Sequence, residues 1–313
     1  MTKFQFLVPV DGSENSKAAA RHAVQLAGMY GAEISSMFVA DIQKYLAPDI
    51  IEIVKDAGRE YVDQVRRLAE SEGITVRSTK VLSGSPIEQI LNEANAIDSN
   101  LIIMAATGKG HVETAPIGAV ANRVLRLSKS HVLLVRDTEN REHYKKILIP
   151  TDGSKDAMYA AQFGMSIARR YNAEVYVCTI IDSKEKIIKR HVTTLDEVRR
   201  GRVLGETLTY PESIIRRMRQ LLLDDAARIA DDVRKMAEKK RVTAEIIVKD
   251  GKTASEILKI VKNQKIDLVV LGSTGKSLIS LMGVGSISEK VASTARCSVL
   301  VVRGSRIERV VPE

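Results

Sequence analysis

Short apolar runs alternate with longer amphipathic stretches along the whole chain. FQFLVPV at residues 4–10 precedes a stretch from about Glu14 to Tyr30 in which Ala19, Ala23, Leu26 and Ala27 fall on one helical face. That pattern predicts a strand followed by a helix. EISSMFVA, ITVRSTKVL, NLIIMAA and HVLLVR supply four more strands, each set off from the next by helix-length sequence. Strict alternation of strand and helix predicts a parallel sheet covered by helices on both faces.

The pattern occurs twice. LVPVDGS at 7–13 matches LIPTDGS at 148–154, and at the same offset of 141 Tyr30 meets Tyr171, Ala32-Glu33 meets Ala173-Glu174, and Asp41 meets Asp182. Further on the offset is 167, so that Gly84 meets Gly251, Gly108 meets Gly275, and VLLVR at 132–136 meets VLVVR at 299–303. The second copy has therefore gained 26 residues between Asp182 and Gly251. Two domains are expected, at 1–138 and 144–306, joined through the polar segment DTENREHY at 137–144. The series Ile214, Met218, Leu221, Leu222, Ile229, Val233 and Met236 suggests that the gained residues form a helical insertion at about 183–242, either an amphipathic surface helix or a partner-docking or lid element.

Composition narrows the function. A net charge of +9 suits an anionic partner, but aromatics make up 4% of residues and tryptophan is absent, which leaves few platforms for stacking nucleic-acid bases. Nucleic acid is therefore disfavoured. No apolar run reaches the roughly 18 residues that span a bilayer, and the N-terminus enters a strand pattern without a signal-peptide layout, so a cytoplasmic protein with no membrane insertion is expected. Cys178 and Cys297 sit in predicted buried strands away from any ligand cluster and read as core residues.

The chemistry concentrates in DLVVLGSTGKSLISLMGVGSIS at 267–288. A buried strand ends at Leu271, Gly272-Ser273-Thr274-Gly275 turns, and Gly285-Ser286 opens the next helix. Glycines there permit positive φ and close backbone approach, helix-start amides attract phosphate, and Ser286 is placed to cap its helix. GSTGKS lacks the glycine that a GxxxxGK[ST] loop needs, because that position is Val270; GKT at 251–253 fails likewise at Ile246.

LIPTDGS, the G-x2-G-x9-G-S string from Gly272 to Ser286, and the strand SVLVVR at 298–303 together resemble the universal stress protein family in a tandem, two-domain form. The resemblance implies an α/β fold of two five-stranded, doubly wound parallel-sheet domains of the adenine nucleotide alpha hydrolase-like kind, with strand order 3-2-1-4-5. It implies ATP where strands 1 and 4 diverge. Pro150, Thr151 and Asp152 would border the adenosine, and Ile180 would offer backbone groups to the adenine edge. Leu271, Gly272, Ser273, Thr274, Gly275 and Lys276 would follow the ribose and phosphates; Gly285, Ser286 and Ile287 would hold the phosphates. Mg²⁺ is the expected counter-ion, with Asp152 reaching it through the nucleotide. The other reading of Asp152 is an Asp that closes its turn and caps the next helix.

The first copy departs from this pattern. AATGKGHVETAPIGAV has Ala105 and Ala119 where the second copy has Gly272 and Ser286, while Pro9, Val10, Asp11, Val39, Gly108, Lys109 and Gly118 preserve the outline of a weaker site. His111 and Glu113 have no nucleophile beside them and read as a solvated loop, so no catalytic residue is assigned. The expectation is an ATP-binding stress regulator that switches an unknown protein partner. A slow ATP hydrolase and a ligand-free scaffold are the alternatives. The family's pairing of fifth strands implies a pseudo-dimer within one chain, with further homodimerisation open to it.

Overall fold

The computed structural model describes residues 3–44, 48–108, 116–136, 143–183, 211–275 and 283–304. The first copy runs β1 (Gln5–Pro9), α1 (Glu14–Tyr30), β2 (Glu33–Asp41), α2 (Pro48–Ser71), β3 (Val76–Gly84), α3 (Pro86–Ala96), β4 (Leu101–Ala105), α4 (Ala119–Leu127) and β5 (His131–Val135). The second runs β6 (Lys146–Pro150), α5 (Lys155–Tyr171), β7 (Glu174–Ile181), α6 (Glu212–Lys239), β8 (Ala244–Asp250), α7 (Thr253–Gln264), β9 (Leu268–Gly272), α8 (Ser286–Thr294) and β10 (Ser298–Val302). One ten-stranded sheet results, ordered β3-β2-β1-β4-β5-β10-β9-β6-β7-β8. Read outward from the middle, each half has the expected order 3-2-1-4-5 in reverse.

Alternation along each strand divides the core into two layers. In β1, Phe6 and Val8 face the side covered by α1 and α2, while Leu7 faces the side covered by α3 and α4. Helix ends obey the repeat as well. Ser13 and Ser154 cap α1 and α5, each accepting an N–H from the first turn, and the helices stop at Gly31 and Asn172 in left-handed conformation.

The two halves meet at β5 and β10, which pair antiparallel with Leu300 opposite Leu133; every other neighbouring pair is parallel. Arginines reinforce the seam. Arg136 donates its backbone N–H to Ser298 Oγ at 3.1 Å and its guanidinium to Ser293 O at 3.5 Å; Arg303 donates its backbone N–H to His131 Nδ1 at 2.9 Å and its guanidinium to Leu125 O. Ser293 and Leu125 lie in the last turns of α8 and α4, whose carbonyls have no partner within the helix. Each arginine thus caps the fourth helix of the other copy. Arg170 does the same for α1, donating to Met29 O at 3.1 Å while its guanidinium stacks over the Tyr30 ring. Tyr30 in turn donates to Ser166 Oγ, and burial pushes its hydroxyl up to about 12.

One expectation needs correcting. Helix α6 packs on β7 and β8 as α2 packs on β2 and β3, and at the offset of 167 its last residue, Lys239, falls beside the end of α2. It belongs to the shared scaffold and is not an insertion. The gained residues fall in 184–210, which lie outside the described residues, as do 137–142 of the expected linker. Cys178 and Cys297 are both buried and unbonded, as core residues should be. Among the described residues, no helix is long and apolar enough to cross a membrane.

Leu300 is fully buried at the centre of the seam. Leu300→Ala should lower the unfolding free energy by about 2–5 kcal/mol, measured by equilibrium urea denaturation.

Candidate functional site

Strands 1 and 4 of each copy part company early. β6 is in register with β9 only at Ile147–Leu268 and Leu148–Val269, and β1 with β4 only at Phe6–Leu101 and Leu7–Ile102. Beyond those pairs a crevice opens at the carboxyl ends, where an open α/β sheet takes its ligands. Thr151 N donates to Cys178 O at 2.8 Å, so the groups of Cys178 face β6; two residues on, the N–H and C=O of Ile180 face the same way, past the end of β6. The same holds for Val39, after Val10 N donates to Met37 O at 2.9 Å. Both strands therefore offer a backbone donor and acceptor to the crevice.

The turn after the first strand is built around its aspartate. Asp152 Oδ1 accepts the Ser154 N–H at 2.9 Å, and Asp11 Oδ1 accepts both the N–H and the hydroxyl of Ser13. Gly153 (φ +74) and Gly12 (φ +78) supply the left-handed step within these turns. The helix cap itself is the serine, so the aspartate closes the turn without capping the helix. Its other oxygen, Oδ2, points across the crevice at the glycine loop.

That direction explains why Gly275 and Gly108 recur. A Cβ on Gly275 would lie 2.7 Å from Asp152 Oδ2, and one on Gly108 2.6 Å from Asp11 Oδ2. Positive φ is not their reason: neither they nor Gly272 nor Gly285 adopts it. Gly272 has a separate cause, since its Cβ would meet the Asp156 carbonyl carbon at 2.7 Å. The glycine at 272 therefore reports how closely the first turn of α5 approaches the fourth strand.

A residue missed in the sequence holds this loop. Asp156, in the first turn of α5, accepts from Ser273 Oγ at 2.9 Å, Thr274 N at 3.2 Å and Thr274 Oγ1 at 2.5 Å. Its counterpart Asn15 donates to Thr107 Oγ1 at 3.0 Å and to Thr107 O at 3.3 Å. The signal was present as two polar residues at the offset of 141, each two positions after the DGS serine.

The helix expected to face the phosphates differs from expectation at one point. Its N-cap is Gly285, with no side-chain cap, and Ser286 is the first helical residue, exposed beside exposed Ile287. Ser288 Oγ turns back to Gly272 O at 2.7 Å, and Gly285 N–H to Ser273 O at 2.7 Å, which fixes the helix start beneath the loop. Gly118 N–H makes the matching bond to Ala106 O at 2.8 Å, with exposed Ala119 opening α4. Pro150, Thr151, Asp152, Ile180, Gly272 to Gly275 and Gly285 to Ile287 thus border one crevice. Leu271 lines it through backbone alone, because its side chain lies in the core. Lys276, Lys109, His111 and Glu113 lie outside the described residues.

The sequence matches the Universal stress protein family over residues 4–136 and again over 143–303. The chain belongs to that family. A universal stress protein of Methanocaldococcus jannaschii is 31% identical over 188 residues, covering 59% of this chain and 97% of that one. A universal stress protein of Mycolicibacterium smegmatis is 23% identical, covering 96% of this chain and 98% of its own. The crystal structure of a universal stress protein from Archaeoglobus fulgidus superposes with a TM-score of 0.67 at 18% identity, covering 96% of both chains. The tandem arrangement is thus shared along the full length, and the fold of this universal stress protein agrees with its relatives' fold.

On the edge strand of the second copy, Asp250 ends β8. It accepts from Ser183 N at 3.1 Å, Ser183 Oγ at 2.7 Å and Arg219 Nε at 2.5 Å, tying α6 to the sheet. Burial raises its carboxyl, but the Ser183 bonds and the Arg219 guanidinium outweigh that and hold it below its ordinary value. A depressed carboxylate contributes stability that is complete above the unfolded value near 4 and is lost as pH falls through the lower folded value. Asp250→Asn should therefore cost about 1 kcal/mol at pH 7, with the gap to wild type narrowing below about pH 4 in urea titrations. Gly272→Ala, by crowding the first turn of α5, should cost about 1–3 kcal/mol by the same measurement.

Proposed function

We propose that this universal stress protein is a regulator that binds ATP in the crevice of its second copy, and that binding biases the surface read by a protein partner. One observation carries the reading. At the topological switch, the Ile180 backbone edge, the Asp152 carboxylate and the amide-bearing start of α8 line one crevice, which is the order that a base, a sugar and phosphates require. The glycines at 275 and 285 keep its floor free of side chains.

Asp152 faces the loop, where a triphosphate would repel it unless it bonds a ribose hydroxyl or shares a cation. Among the described residues no three His, Cys, Asp or Glu side chains gather to hold a metal by themselves, so Mg²⁺ would arrive with the nucleotide and be held chiefly by its phosphates. The ion would neutralise phosphate charge; the chain's part is to orient the nucleotide through backbone groups and Asp152. The first copy keeps Asp11, Val39, Gly108 and Gly118 but opens its helix with Ala119, which gives up a hydroxyl and leaves it the weaker site. A nucleotide shifts the partner surface only by binding its two states unequally.

Isothermal titration with ATP and Mg²⁺ tests the reading. We expect saturable binding that Asp152→Ala weakens about tenfold or more and Ser286→Ala by a smaller factor, with Asp11→Ala and Ala119→Ser changing the main site little. No heat of binding at millimolar ATP, together with no adenine nucleotide released on denaturing the purified protein, would refute it.

A further inference from the structure

The start of α8 in the second copy is built partly from the first copy. Arg303, buried at the end of β10, donates one guanidinium nitrogen to Gly283 O, two residues before the α8 N-cap, and the other to Leu125 O in the last turn of α4. Gly283 (φ +78) sits so close to that turn that a Cβ would lie 2.6 Å from Arg126 O. Arg126 itself reaches Glu289, in the first turn of α8, at 3.3 Å. Three contacts between the same two helix ends therefore fix where the α8 amides point.

The electrostatics of this junction have a definite sign. The carboxyl end of a helix carries partial negative charge, and α4 presents that end beside the amide end of α8, where it opposes any anion. The guanidinium of Arg303 stands between them, bonded to an α4 carbonyl, and offsets that charge. Arg136, at the equivalent place in the first copy, donates to Ser293 O in the last turn of α8.

We infer that Arg303 is a positioning residue through which the first copy holds and electrostatically prepares the anion-binding start of the second copy's α8. The ligand named here rests on the nucleotide reading above. The contact between the helices does not.

The test uses the full chain in two measurements. In the unliganded protein, Arg303→Met should speed amide hydrogen exchange at residues 285–289 by about tenfold or more, whereas Tyr30→Phe, which loosens the seam elsewhere, should leave those amides near wild type. With ligands, Arg303→Met should weaken ATP about tenfold while changing adenosine less than about twofold, because only the phosphates feel the α8 start. Arg126→Met, a milder change on the same junction, should move both readouts in the same direction and stands in if Arg303→Met does not fold. Exchange at 285–289 unchanged in both arginine variants, or equal losses of ATP and adenosine, overturns the inference. If wild type binds neither ligand, the nucleotide reading fails, and the exchange result alone decides the positioning role.

Discussion

The antiparallel pairing of β5 with β10 is the contact on which the rest of the molecule depends. Both strands are apolar along nearly their whole length, and an unpaired edge of that kind is open to association with other chains. Pairing removes both edges at once and leaves β3 and β8 at the rims, where every side chain is partly buried or exposed. It also dictates the neighbours. With the seam in place, α1 must lie against α5 and α4 against α8, and the arginines at 136, 170 and 303 find carbonyls of the opposite copy within reach.

The crevices follow from the same sheet. Strands that separate after two registered pairs leave room at their carboxyl ends, and the chain fills that room with backbone more than with side chains. Glycine there serves clearance. The carboxylates of Asp11 and Asp152 occupy the space that a methyl at 108 or 275 would need, and the backbone of Asp156 occupies the space beside 272. Loop, turn and helix start are thereby locked to one another through Asp156 and Ser288 before any ligand is considered.

Much of this was legible in the sequence because periodicity is a direct record of burial. Strand runs such as NLIIMAA, the helix from Glu14 to Tyr30, and the duplication located ten strands and the two crevices. What escaped was anything that local pattern cannot price. An acid in a helix's first turn, such as Asp156, reads as a partner of the helix dipole, and only the fold shows the loop hydroxyls it accepts from. A strand-terminal arginine reads as solvated, whereas Arg303 is buried among carbonyls far away in sequence. The repeat loses its register between Asp182 and Gly251, so the helix Glu212–Lys239 reads as inserted sequence, and its shared role shows only where it packs.

Joining the two copies in one chain has an effect beyond cohesion. In a dimer of identical subunits every substitution arrives twice, and a residue that suits one side of the two-fold axis must be tolerated on the other. Here His131 accepts an N–H where Ser298 does so across the axis, and Asn15 donates where Asp156 accepts. Such pairs are closed to a dimer of identical subunits. The fusion frees each half to evolve its own polarity around a shared seam, so that one half can specialise in the ligand while the other specialises in support.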